Sequence, residues 1–182
     1  MRCASASRAA SVAAAALAIG ASGCEDLSRF STAADESYCG AVTAEAAFRR
    51  GFDASAQMRL TLDASKIDGA ESPGVLTTRE APAADAEVRL LDAAPLRPIP
   101  PLAHDLLSRP ALGEGRVRTA IYAVTPADPD AEGLLAALSL RNDGAVEVRL
   151  LRAGASDAAD APEGRRPLFG LFTLHRAPGA CF

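Results

Sequence analysis

The chain reads as mainly β, an antiparallel sandwich or a partly open β-barrel with long loops. Three observations predict this. Apolar and polar residues alternate through Gln57–Asp63 and again through Ala145–Leu151. Asn142-Asp143-Gly144 separates the second run from an almost wholly apolar one, Leu134–Leu140. Stretches rich in Pro, Gly and Asp recur between such runs. A period of two puts successive side chains on opposite faces of a strand, so alternation marks a strand with one wet face.

Taken in order, Gly40 to Arg50 comes first. Val42, Ala44, Ala46 and Phe48 alternate there, which predicts a strand, although the alanines would also suit a helix. In Gln57–Asp63 the inward set is Met58, Leu60 and Leu62. Asp63 to Pro73 lacks periodicity and reads as a loop. Glu87 to Leu91 is a shorter strand candidate. Ala93 to Pro110 holds Pro95, Pro98, Pro100 and Pro101, which force an extended, polyproline-like path with few internal hydrogen bonds. Arg116 to Val124 is a strand, and Thr125 to Gly133 a loop. Leu134 to Leu140 is apolar on both faces, as a central strand requires. Asn and Asp tolerate positive φ and Gly favours it, so Asn142-Asp143-Gly144 is a hairpin loop. Val146, Val148 and Leu150 face inward on the next strand. Ala153 to Pro167 is a loop, and Leu168 to Leu174 the last strand.

The N-terminus carries a different message. Arg2 and Arg8 precede an apolar run from Val12 to Ile19, and Ala21-Ser22-Gly23 leads into Cys24. These are the parts of a bacterial lipoprotein signal peptide spanning residues 1–23, with Cys24 the lipidated mature N-terminus. The alternative is an ordinary signal-peptidase site and a freely secreted protein, because Ala21 stands where leucine is common. The apolar run is far short of the ~20 residues of a spanning helix. Residues 24–37 are small, polar and acidic and read as a flexible tether. Residues 38–182 form a single β-rich domain.

Four cysteines occur, and Cys3 leaves with the signal peptide. Acylation of Cys24 would leave Cys39 and Cys181 as one disulfide in an oxidising compartment. Two unpaired buried thiols are the alternative.

The formal net charge is −4, and loss of residues 1–23 removes two arginines and no acids. An acidic chain does not suit nucleic acid. The membrane partner is reached through acyl chains instead. Lys66 is the sole lysine among many arginines, a bias of codon usage more than of function. No Trp is present, which lowers a sugar-binding role.

No catalytic set stands out. His104-Asp105 pairs a base with an acid, but adjacent residues on an extended chain point opposite ways. His175 ends an apolar strand. Gly69-Ala70-Glu71-Ser72-Pro73-Gly74 has the wrong spacing for a serine elbow. Asp128-Pro129-Asp130-Ala131-Glu132 clusters carboxylates without the ligand spacing of a calcium loop. Gly113-Glu114-Gly115-Arg116 is a turn before a strand, not a phosphate loop. Pro95-Leu96-Arg97-Pro98 has PxxP spacing, but a structural strap across the sheet is the better reading. No metal site, cofactor or catalytic residue is expected.

Ser37-Tyr38-Cys39-Gly40, Pro95-Leu96-Arg97-Pro98-Ile99-Pro100, His104-Asp105 and Val146-Glu147-Val148-Arg149-Leu150-Leu151, with the anchor and terminal cysteines, carry a resemblance. The chain resembles small predicted lipoproteins of uncharacterised function from myxobacteria. The resemblance implies location and anchoring and transfers no site. The expected function is a non-catalytic binding or assembly module of the cell envelope, held on the outer membrane and able to meet an envelope protein partner. The competing reading is a membrane-anchored hydrolase with a carboxylate- or His104-based site assembled by the fold.

Overall fold

The alternation of Met58, Leu60 and Leu62 becomes a strand whose inward residues are wholly buried. In the computed structural model, residues 36–81, 87–99, 116–153, 168–179 and 181–182 are described. They form β1 (Ser37–Ala41), β2 (Gln57–Leu62), β3 (Gly74–Arg79), β4 (Ala94–Pro95), β5 (Arg97–Pro98), β6 (Arg116–Val124), β7 (Leu134–Arg141), β8 (Val146–Arg152) and β9 (Leu168–Arg176). Every pairing is antiparallel, and the sheet order is β4-β3-β2-β1-β9-β8-β7-β6-β5.

That order has a simple reading. Each strand neighbours the next in sequence except β4 and β5, and β9 returns to pair with β1. The two ends of the sheet, β4 and β5, are separated only by Leu96. Ala94 and Pro95 pair with Leu76 and Val75, while Arg97 and Pro98 pair with Ala123 and Tyr122. The proline segment is therefore one extended strap that touches both remaining edges. The result is a nearly closed, barrel-like up-and-down sheet. Pro95 and Pro98 have no N–H to give, so the strap binds sparingly. Leu96 supplies one bond, its N–H to the Gly74 carbonyl at 2.9 Å, and buries its side chain completely.

The interior is filled by side chains. Tyr38, Met58, Leu60, Leu62, Leu76, Tyr122, Leu138 and Phe172 are among the most buried. Phe52 meets Phe169 and Phe172 edge-on, with ring centroids 5.3 and 5.0 Å apart. Strand β7 is buried on both faces, as its composition predicts. Its outward residues Leu135 and Ala137 join Ile121 in a second, smaller apolar cluster. Ser139, also outward, meets the hydroxyl of Thr119 at 3.2 Å.

The β7–β8 loop behaves as its residues require. The Arg141 N–H bonds to the Ala145 carbonyl, and Gly144 adopts φ +84°. The Asp143 carboxyl is held below its usual range, first by the Ala145 N–H and also by Arg141. A Cβ at residue 144 has room but the wrong backbone. Gly144→Ala should therefore cost about 1 kcal/mol, read as a shift in urea midpoint at constant m-value.

Three segments differ from the sequence reading. The strand expected over Gly40 to Arg50 stops at Ala41, followed by a single bridge from Val42 to Phe172 and a short 3₁₀ turn at Ala46–Phe48. Ala44, Ala46 and Phe48 are exposed, so their alternation reflects no buried face. The candidate strand Glu87 to Leu91 is reduced to one bridge, Val88 with Glu80, and Val88 is 49% exposed. Conversely, β3 has no alternation to announce it. Its residues Thr77 and Thr78 are buried because their hydroxyls accept the N–H groups of Ala93 and Leu91.

Candidate functional site

The up-and-down order assigns every connection to one of two barrel ends. The N-terminal entry at Glu36, the β2–β3 loop, the Asn142–Gly144 hairpin and the segment after β9 share one end. The opposite end carries residues 42–56, 80–81, 87–93 and 125–133. These loops are tied together: the Asp53 N–H donates to the Glu80 carboxylate at 3.1 Å, and the Ala127 N–H to the Leu90 carbonyl at 2.9 Å. Among the described residues, the two large apolar side chains that stand exposed, Phe48 at 41% and Val88 at 49%, both lie there.

The residues singled out for chemistry are placed as follows. Cys24, His104 and Asp105 lie outside the described residues. Cys39 and Cys181 are joined in a disulfide, their Cα atoms 6.0 Å apart across 142 positions. His175 is exposed on β9, directly opposite Cys39. Leu96 of the PxxP segment is buried in the core, which makes that segment part of the sheet. Asp128 folds its own loop by accepting the Asp130 N–H at 2.9 Å. Among the described residues, no three His, Cys, Asp or Glu side chains gather as a metal group. Among them too, no helix is long and apolar enough to cross a membrane.

The buried polar groups that sequence reasoning did not single out are mostly structural. Asp63 accepts the Ser65 hydroxyl at 2.6 Å and the Ser65 N–H at 3.0 Å, which draws its carboxyl below the usual range, the hydroxyl contributing most. The Tyr122 phenol donates to the Ile67 carbonyl at 2.7 Å inside the barrel. Burial pushes that phenol's pKa well up, with the Asp68 carboxylate adding and Arg118 opposing. It remains a protonated donor that fastens the β2–β3 loop to the core. Tyr122→Phe leaves the Ile67 carbonyl without that partner and should cost about 1–2 kcal/mol in chemical denaturation. The Glu36 side chain is also largely buried; one carboxylate oxygen meets Arg176, and the other has no hydrogen-bond partner among the described residues.

An open groove of about 240 Å³ runs beside the disulfide, lined by Cys39, Gly40, Ala41, Gln57, Cys181 and Phe182. The Phe182 ring lies under two guanidinium groups, those of Arg59 at 5.5 Å and Arg79 at 5.7 Å from its centroid. No signal in the sequence links Phe182 to these arginines, which come from two different strands. No protein-family model, curated protein or solved structure matches the chain.

Proposed function

We propose that the chain is a cell-envelope lipoprotein, anchored through Cys24 at the outer membrane, that acts as a non-catalytic binding or assembly module. The observation that carries this reading is the run Ala21-Ser22-Gly23-Cys24 behind a basic and then apolar segment. The fold gives it a geometry. The chain enters the barrel at Glu36, at the end opposite Phe48 and Val88. An anchor at Cys24 therefore turns residues 42–56, 87–93 and 125–133 away from the membrane, where a partner protein can reach them. The interior is occupied by core side chains, so contact falls to the outside of the barrel.

The anchor is tested by expression in a Gram-negative host. The protein should partition into detergent, and Cys24→Ala should release it to the aqueous phase or stall its processing. An unmodified Cys24 in the native protein, found by mass spectrometry, would refute the anchor. The non-catalytic half fails if the purified domain cleaves peptidoglycan, glycan or ester and loses that activity on replacement of His104 or a carboxylate.

A further inference from the structure

Cys39 stands in a row of outward side chains that crosses three strands. Its register partners are His175 on β9 and Arg59 on β2. Directly opposed residues in antiparallel strands share a face, with Cβ atoms about 4.5–5.5 Å apart. Arg59 carries a guanidinium with five N–H donors, and an imidazole keeps at least one N–H to donate. Both cysteines are half-buried, and both line the open groove. Among the described residues beyond β9, the chain is tied back by the Ala177 N–H on the Ser37 carbonyl, by the disulfide, and by the stacked Phe182.

We propose that Cys39–Cys181 is a thiol–disulfide exchange site, open to a dithiol reductant while the domain remains folded. The reductant's first thiolate bonds to the Cys181 sulfur. The bond between the two cysteines breaks, and its electron pair leaves on the Cys39 sulfur as a thiolate. Arg59 and His175 flank Cys39 on the neighbouring strands, and their donors favour charge on its sulfur over that of Cys181, since a more acidic thiol leaves faster. The reductant's second thiolate then displaces the Cys181 sulfur and departs as the reductant's own disulfide. Two electrons pass from the dithiol to the cysteine pair, and each released thiolate takes a proton from water. Exchange releases Cys181 from Cys39 at the wall of the groove.

The test uses the full chain in native buffer, with dithiothreitol for rates and glutathione for trapping. Free thiols are alkylated at timed intervals and mapped by mass spectrometry, with circular dichroism recorded in parallel. Reduction should proceed with the strand signal intact, and the trapped glutathione adduct should sit on Cys181 with Cys39 alkylated. Arg59→Gln should slow reduction severalfold, because loss of the facing cation makes the leaving thiol less acidic and a less acidic thiol leaves more slowly. Arg59→Lys should keep the parent rate. Reduction that occurs only when urea unfolds the domain overturns the proposal. So does an adduct on Cys39, a rate indifferent to residue 59, or equal slowing by glutamine and lysine.

Discussion

Phe172→Ala should lower the unfolding free energy by about 3–5 kcal/mol, the range for deleting a buried aromatic ring. Phe172 is wholly buried on β9, its ring set edge-on against Phe52 at 87°. The same residue bridges to Val42 just beyond β1, at the seam where the first and last strands meet. That seam is lightly built: only Tyr38 and Cys39 of β1 are in register with β9. The backbones approach closely there, since a Cβ on Gly40 would collide with the Thr173 carbonyl. Little other packing can move in to fill the lost volume. Phe172→Leu keeps most of the volume and should cost markedly less. Urea denaturation followed by circular dichroism reads both. Equal midpoints for the alanine variant and the parent would mean the ring is not in the core.

Cys181→Ser should cost about 2–5 kcal/mol. The bond closes a loop of 142 positions. For a loop of that length the chain-entropy account reaches about 5 kcal/mol, which native strain usually reduces. Cys39→Ser and the double variant should match Cys181→Ser, because each removes the same constraint. An oxidised parent that unfolds at the same urea concentration with and without reductant would contradict this. Domains are ordinarily stable by about 5–15 kcal/mol, so a loss of this size leaves a folded reduced form available for exchange.

How far the sequence could be read follows from where each signal resides. Strands β2 and β8 have one wet face, so their alternation of Met58, Leu60, Leu62 and of Val146, Val148, Leu150 states which side is inward. Strand β7 announces its two buried faces by being almost wholly apolar, with Ser139 the one polar residue before Arg141. Strand β3 is silent because the groups satisfying Thr77 and Thr78 lie on another segment, at Ala93 and Leu91. The alternating alanines of 40–50 mislead, since a side chain so small is tolerated on either face. The prolines of the strap specify an extended path. Which two edges it joins depends on the register of β3 and β6, and no local pattern encodes that. The same holds for the surroundings of the disulfide. Counting cysteines proposes the pair, but only cross-strand register sets Cys39 between Arg59 and His175.

The return of β9 to β1 also sets an order of events during synthesis. The ladders between successive segments join neighbours along the chain and can zip in chain order. β1 cannot be completed in that way. It is made first, and its second flank stays bare until β9 has been polymerised. For that interval its backbone donors and acceptors are a template for other extended chains. The wait ends when β9 arrives, and Cys39 meets Cys181 only afterwards. Oxidation of Cys39 is thus a timestamp of the arrival of β9: in a pulse-labelled chain its thiol should stay open to alkylation until after Cys181 has been synthesised.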